Sequence, residues 1–307
     1  MKPPQTAIFW VVSHGLSVVN NRCATINKIL PFSCVDGPGN RLVLFLQGCN
    51  LWCQNCHNPY TMRLCDDCGD CVVTCPHGAL SFSDDGKVVW AKEYCQQCDT
   101  CLQTCTKNAS PMTLHYSVDT VLAIIRHYVA FLNGITISGG EATLQLPFIS
   151  ALFSAIKQST DLCHLTCFID SNGYLSETGW HKVLPYADGM MIDLKAWRPQ
   201  RALILTGRDN QRVIDSIRLL ATANKLYEVR LLYIPEHTDY LAHIDELSAF
   251  LITLPDTVRI KINAFQTHGV TGDASHWPTA EKIDVEHFAQ LLRERGVNNL
   301  HLPSVYL

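Results

Sequence analysis

At 307 residues, 47% of them hydrophobic and 17% charged, the chain is long enough for one large domain with a substantial core, or for such a domain plus a small insertion. Its formal net charge of −4 contains no block of like charges, which argues against nucleic acid or an anionic membrane as the main partner. Fifteen cysteines, eleven of them between Cys49 and Cys105 in three tight clusters, do not resemble the disulfide framework of a short secreted chain and point to metal in a reducing, cytoplasmic setting.

The chain opens with "MKPPQTAIFWVVSHGLSVV", a basic residue followed by an apolar stretch that Ser13, His14 and Gly15 interrupt. It is too short to span a bilayer, and no A-x-A-like cleavage site follows. The reading adopted is that translation begins near Val19, so that the first eighteen residues are a start-site artefact and residues 1–22 an extension outside the fold. Next comes "DGPG" at Asp36–Gly39, a tight turn ahead of the first predicted strand. Candidate strands lie at Leu42–Gln47, Gly134–Ser138, Leu165–Asp170, Met190–Asp193, Tyr227–Tyr233 and Val258–Asn263, each short and apolar. Amphipathic patterns predict helices at Ser117–Leu132, capped by Ser117, and at Leu146–Lys157, Asn210–Ala223, His243–Leu254 and Val285–Glu294. Six strands joined by helices imply parallel βα units, hence an α/β fold on an open sheet or an incomplete barrel.

From about Tyr60 to Met112 that rhythm stops. The stretch is dense in cysteine and lies between the first strand and its helix. It predicts an inserted small domain stabilised by metal ligation, because its own core would be too small. The expected division is 23–59 with 113–307 as the main domain and 60–112 as the insert. Within it, "CDDCGDCVVTCP" supplies Cys65, Cys68, Cys71 and Cys75, and "CQQCDTCLQTCT" supplies Cys95, Cys98, Cys101 and Cys105. Both follow C-x2-C-x2-C-x3-C, the bacterial ferredoxin run, in which the fourth cysteine ligates the other cluster. The expectation is one [4Fe–4S] cluster on Cys65, Cys68, Cys71 and Cys105, and a second on Cys95, Cys98, Cys101 and Cys75. Thr106 stands where the run usually ends in Pro, which loosens a turn but removes no ligand. Two zinc ions are the alternative, although zinc frameworks present separated C-x2-C pairs rather than duplicated runs.

Ahead of the insert, "GCNLWCQNCHNP" sets Cys49, Cys53 and Cys56 in C-x3-C-x2-C spacing at the end of the first strand. A [4Fe–4S] cube is ordinarily held by four thiolates, so three leave one iron open. The ligand this suggests is S-adenosylmethionine, whose amino and carboxylate groups can chelate that iron and place the sulfonium beside a one-electron donor. The radical chemistry is then the cofactor's, and the protein positions it.

On these motifs, together with "SCVDGPGNR", "SGGEAT", "DSNG" and "DLK", the chain resembles the radical SAM superfamily over most of residues 24–307. The resemblance is nearest to the glycyl radical enzyme activating proteins, the family of the pyruvate formate-lyase activase, and among them to the ferredoxin-insert type called YjjW. It implies a partial (β/α)6 barrel, open on one side, with an inserted two-cluster ferredoxin-like domain. By this resemblance Cys49, Cys53 and Cys56 hold the S-adenosylmethionine cluster, with Asn55, Cys56 and His57 lining the adenine side. Gly139, Gly140 and Glu141 meet the methionyl ammonium. Lys195 of the Asp193-Leu194-Lys195 motif pairs with the S-adenosylmethionine carboxylate, while Asp170 and Asp193 hold a monovalent cation. The ribose contact falls to Gln266 or His268, where the family usually has a histidine. Asp36 binds backbone of the substrate peptide. Cys23, Cys34, Cys163 and Cys167 have no cluster spacing and are expected to be buried small apolar residues.

The function so implied is an anaerobic, cytoplasmic activase carrying three [4Fe–4S] clusters. It cleaves S-adenosylmethionine reductively and removes a glycine Cα hydrogen from a partner glycyl radical enzyme, and the insert relays electrons from a flavodoxin- or ferredoxin-like donor. Two other readings stay open. One is a radical SAM enzyme acting on a small molecule or another peptide. The other is an iron–sulfur electron carrier, which would have no use for the GGE and DLK motifs.

Overall fold

The structure, a computed structural model, describes residues 22–303; the start-site expectation concerns the first eighteen residues and lies outside the described residues. In chain order the strands are β1 (Cys23–Ser33), β2 (Arg41–Leu46), β3 (Leu80–Phe82), β4 (Val88–Trp90), β5 (Leu114–Ser117), β6 (Gly134–Gly139), β7 (Thr166–Ser171), β8 (Gly189–Leu194), β9 (Leu226–Tyr233), β10 (Arg259–Ala264) and β11 (Leu300–His301). Nine of them form one sheet in the order β11-β10-β9-β8-β7-β6-β2-β1-β5. Its middle six, β2 and β6 to β10, run parallel to one another, as crossover connections through helices require. These are the six strands expected from sequence. β1 and β5 add antiparallel at one edge, and β11 adds parallel at the other.

The helices are α1 (Asp70–Thr74), α2 (Thr100–Thr104), α3 (Val118–Tyr128), α4 (Leu146–Gln158), α5 (Glu177–Val183), α6 (Pro199–Thr206), α7 (Gln211–Thr222), α8 (Ile244–Ile252) and α9 (Lys282–Glu294). Ser117 caps α3 by accepting from the Thr120 amide, and Glu281 with Asp284 forms a reciprocal box at the start of α9. Sequence reasoning missed α5 and α6, whose seven and eight residues are too few for a helical period to stand out. It also missed β1, in which Asn27 and Lys28 break the apolar alternation. Among the described residues no helix is long and apolar enough to cross a membrane.

The parallel strands alternate in character. Leu42, Leu44, Ile135, Ile137, Ile169, Ile192, Val229, Leu231, Ile260 and Ile262 join the main core with Val121, Ile125, Leu152, Ile217 and Phe288 of the helices. The intervening residues, including Thr136, Ser138, Asp170, Asp193, Glu228 and Arg230, face the other side and bond to one another across strands. With a period of two, one face of each strand serves the core and the other is free for chemistry.

Of the four cysteines outside the runs, Cys167 on β7 is buried as expected, but Cys23, Cys34 and Cys163 are exposed. The expectation fails there because Cys23 opens β1 at the surface and the other two lie in surface connections, where no second layer covers them.

Arg41 closes the lower end of the polar face. Fully buried, it donates to Thr136 Oγ1 (2.7 Å), Thr166 Oγ1 (2.8 Å) and the carbonyls of Pro38 (3.1 Å), Ile135 (2.5 Å) and Thr166 (2.9 Å). Its guanidinium lies 4.4 Å from the Phe168 ring centre. Burial lowers its pKa to about 10, which still leaves it charged at neutral pH. Arg41→Met leaves those buried acceptors without a donor and is expected to cost about 3–5 kcal/mol. The check is a lower denaturation midpoint with an unchanged slope.

Candidate active site

The loop from Gly48 to His57 follows β2 and has no regular structure of its own. Its backbone is satisfied from outside. The Gly48 and Cys49 amides donate to the Thr61 and Met62 carbonyls, both at 2.8 Å. The Trp52 and Gln54 amides donate to Thr206 (2.8 Å) and Leu205 (2.9 Å) at the end of α6. Arg208 Nε donates to the Asn50 carbonyl at 2.9 Å, and Asn172, just past β7, donates to Asn50 Oδ1 at 2.8 Å. Gly269, beyond β10, has φ +77°, and a Cβ there would stand 2.3 Å from the His57 carbonyl. The Phe265 ring meets His57 edge-on at 5.9 Å. Segments that follow β7, β8 and β10 thus converge on the loop that follows β2, so the sheet is curled and its polar face is concave.

Cys49, Cys53 and Cys56 come together in this loop. Burial pushes Cys53 up to about 12 and Cys49 up to about 11, and raises Cys56 as well. The Lys195 charge acts on all three thiols in the opposite direction. Thiols this buried give up their protons to a metal rather than to water, and a cation stands beside them to balance the thiolates. The donor set therefore fits an iron–sulfur cluster.

Beyond the thiols the concave face carries a charge network. Lys195 Nζ lies 3.0 Å from Asp193, and Arg230 lies 2.8 Å from Asp170 and 2.7 Å from Glu228. Burial raises the Asp170 carboxyl despite Arg230. Asp193 is also buried, but Lys195 and Arg230 together outweigh that and hold it below the usual carboxylate range. Burial opposes the charge on Lys195 and on Arg230, and their carboxylate partners more than restore it. Arg230 was not singled out from sequence. Its signal is charge at alternate positions, Glu228 and Arg230, within the otherwise apolar run of β9.

The other expected residues are placed as follows. Gly139 and Gly140 end β6 against the thiol loop, where a Cβ on Gly140 would meet the Gly48 carbonyl at 2.4 Å. The spacing that demands these glycines is thus set by the chain itself. Glu141 is buried and accepts from the Thr143 amide (2.9 Å), Thr143 Oγ1 (2.5 Å), Ser171 Oγ (2.8 Å) and the Asn172 amide (2.7 Å), which ties the end of β6 to that of β7. Leu194 turns its side chain into the main core, and only its backbone borders the concave face. Asn55 is buried in the thiol loop. His57 has its pKa lowered by burial and then by the nearby charges of Lys195 and His268, which places His268 by the loop. Gln266 donates to the Ala280 carbonyl at 3.4 Å. Asp36 approaches from the opposite end. Its carbonyl accepts from Thr136 Oγ1 at 2.6 Å, its carboxylate accepts from Ser33 Oγ at 2.5 Å, and its charge is felt at Asp170.

The eight remaining cluster candidates surround two hollows. Cys65, Cys68, Cys71 and Cys105 line one, and Cys75, Cys95, Cys98 and Cys101 line another. The two runs share a backbone pattern. Asp67 and Gln97 have φ +60° and +54°, Gly69 and Asp99 have φ +85° and +57°, and the five-residue helices α1 and α2 follow. Asp67, Gln97 and Asp99 are non-glycine residues in the left-handed region, an uncommon placement that recurs at matching positions. Among the described residues no three His, Cys, Asp or Glu side chains converge tightly enough to hold a single metal ion.

Comparison with known proteins agrees with this geometry. A family model described as the radical SAM superfamily matches residues 43–251, more than half of the chain. The pyruvate formate-lyase-activating enzyme of Streptococcus mutans is 30% identical over 255 residues, covering 80% of this chain and 78% of that one. The indoleacetate decarboxylase activating enzyme of Tractidigestivibacter scatoligenes is 30% identical over 308 residues, covering 89% and 96%. In fold, the chain is similar to a radical SAM methyltransferase from Sphaerobacter thermophilus, with a TM-score of 0.53 at 14% identity over 86% of this chain and 67% of that one. Membership of the superfamily implies a [4Fe–4S] cluster and S-adenosylmethionine. The chain belongs to the radical SAM superfamily and, within it, to the activating enzymes of glycyl radical enzymes, which are oxidoreductases.

Proposed function

We propose that this protein activates a partner glycyl radical enzyme by removing one hydrogen from a glycine Cα, and that it does so on the concave face beside Cys49, Cys53 and Cys56. The observation that carries the reading is the convergence of those three buried thiols with Lys195, Asp193 and Asp170 at one end of a curled parallel sheet. A [4Fe–4S] cluster held by Cys49, Cys53 and Cys56, with S-adenosylmethionine beside it, would supply the one-electron radical chemistry that the hydrogen removal needs. The residues of the chain bind, orient and balance charge. Lys195, released from Asp193, meets the carboxylate of S-adenosylmethionine, and the Gly139–Glu141 turn meets its ammonium. Asn55 and His57 border the adenine, with Gln266 or His268 at the ribose. Arg230 supplies positive charge beside Asp170, where a monovalent cation would otherwise be needed. Asp36, reaching the face from its far end, takes backbone of the glycine-bearing loop. Glycine suits such a loop because it has no side chain to block the approach to Cα.

In this reading residues 23–59 and 113–307 form a partial (β/α)6 barrel. Residues 60–112 form a ferredoxin-like insert holding two further [4Fe–4S] clusters on the crossed cysteine sets, which relay electrons from a flavodoxin- or ferredoxin-like donor in an anaerobic cytoplasm. Two hollows ringed by thiols suit clusters better than zinc, whose four thiolates close on one ion at about 2.3 Å.

Protein reconstituted without oxygen is expected to carry ~12 iron per chain, and the Cys49→Ala/Cys53→Ala/Cys56→Ala variant ~8, with S-adenosylmethionine cleavage lost. Zinc in place of iron in protein purified without oxygen would end the cluster assignment.

The substrate is tested by deuterium. With a partner carrying deuterated glycine, one deuterium should appear in 5′-deoxyadenosine and the partner should show a glycyl radical by EPR. Asp36→Asn is expected to lower this transfer by roughly tenfold while changing uncoupled S-adenosylmethionine cleavage by less than about twofold. Deuterium arriving from a small metabolite, and none from glycine, would transfer the assignment to a different radical SAM reaction.

A further inference from the structure

The two thiol-lined hollows are tied to the three-thiol loop in different ways, and the difference orders them. Leu64, next to Cys65, lies over Gly48, next to Cys49: a Cβ on Gly48 would stand 3.9 Å from Leu64 Cδ2. The Cys49 amide donates to the Met62 carbonyl at 2.8 Å, and the Arg63 amide donates to the Asn108 carbonyl at 3.1 Å, three residues past Cys105. Arg63 and Ala109 pair there as a parallel bridge, and Gln47 Nε2 donates to the Arg63 carbonyl at 2.7 Å. The hollow of Cys65 and Cys105 is therefore joined to the loop on two sides, by the chain itself and by backbone hydrogen bonds. The other run makes no such connection. The charge of Asp99 is felt at Tyr60, yet among the described residues no hydrogen bond runs from residues 95–101 to residues 48–57. Its hollow is closed instead by Trp90 and Met112. The two hollows meet each other. Cys71 and Cys101 are buried in one small apolar centre, and the Thr74 and Thr104 hydroxyls lie 3.2 Å apart.

Resting on the reading that all three thiol sets hold clusters, we propose that electrons enter at the Cys75/Cys95/Cys98/Cys101 site, pass to the Cys65/Cys68/Cys71/Cys105 site, and reach the Cys49/Cys53/Cys56 site through the Met62–Arg63–Asn108 bridge. One electron leaves a reduced low-potential carrier protein of the flavodoxin or ferredoxin class, which is oxidised by one electron. Each four-thiol site is reduced and then reoxidised in turn, so the net change is one electron delivered to the three-thiol site. The site joined to the loop is an obligatory last station, and the other is the entrance.

The test uses the full chain, reconstituted with iron and sulfide, and flavodoxin hydroquinone as donor, with cluster reduction followed by freeze-quench EPR and iron counted in every sample. The signal of the three-thiol site is identified by its loss in the Cys49→Ala/Cys53→Ala/Cys56→Ala variant. In Cys98→Ala, flavodoxin should reduce the three-thiol site roughly tenfold or more slowly, while dithionite still reduces it. In Cys68→Ala, flavodoxin should reduce the Cys75/Cys95/Cys98/Cys101 site at the unaltered rate, and the three-thiol site again roughly tenfold or more slowly. Should either alanine variant lose iron from both insert sites, Cys98→Ser and Cys68→Ser, which keep an oxygen ligand, replace it under the same criteria. Reduction of the three-thiol site at the unaltered rate in the Cys98 variant, or in the Cys68 variant, overturns the order. If the order falls while dithionite-reduced variants still place deuterium from glycine in 5′-deoxyadenosine, the activase reading stands without it.

Discussion

The loop from Gly48 to His57 must have its backbone groups satisfied by partners drawn from other parts of the chain, and that requirement organises everything around it. Thr61 and Met62 hold one side of it, the end of α6 holds another, and Asn172 and Gly269 approach from beyond β7 and β10. An irregular loop held at so many points is stiff, and stiffness is what a site needs if it is to place a reactive group within a fraction of an ångström of its target. Gly140 and Gly269 matter here because the approaching backbones leave no room for a Cβ. A methyl group at either position would push the thiol loop away from the strands that position it.

The same economy governs charge. Three carboxylates, Asp170, Asp193 and Glu228, pair with three cations, Lys195, Arg230 and Arg259, on or at the edge of the concave face, and none is left to balance itself against water alone. Breaking such buried pairs is costly, so the network fixes its own geometry. Lys195 is the member with two claims on it, Asp193 on one side and the thiol loop on the other. Its charge opposes the effect of burial at three cysteines simultaneously, which a more distant or more solvated cation could not do.

Much of this was legible in the sequence. The six parallel strands announce themselves through short apolar runs, and the duplicated cysteine spacing pairs residues thirty apart in the chain. What stayed hidden follows from how such signals arise. β1 breaks its apolar alternation at Asn27 and Lys28, and α5 and α6 are too short to display a period. Arg230 and Arg41 are inward-facing charges on apolar strands, and the partners that place them in the fold, Asp170 and Thr166, lie 60 and 125 residues away. Glu141 illustrates the opposite problem. Its motif marks the right turn, yet its four hydrogen bonds to the chain are apparent only once β6 and β7 are side by side. Cys23, Cys34 and Cys163 were misjudged because residue type predicts burial only where a second layer exists to provide it.

The apolar centre beneath the two hollows consists of Cys71, Leu80 and Cys101, with Val72, Cys75, Val88, Trp90, Leu102 and Met112 packed around it. Three of these nine are thiol side chains from the two runs, so on the proposed cluster assignment some of the ligands also belong to the core. Such a region has little reserve when its sulfur chemistry changes. Oxidising Cys71 or Cys101 would insert a polar group into this apolar centre and, on that assignment, remove a ligand at the same stroke. The main sheet, with its separate and much larger core, has no such dependence. On the proposed cluster assignment, exposure to air would therefore damage the molecule unevenly, unravelling the cysteine-rich region while leaving the main sheet folded, and iron supply during synthesis would decide whether that region takes shape at all.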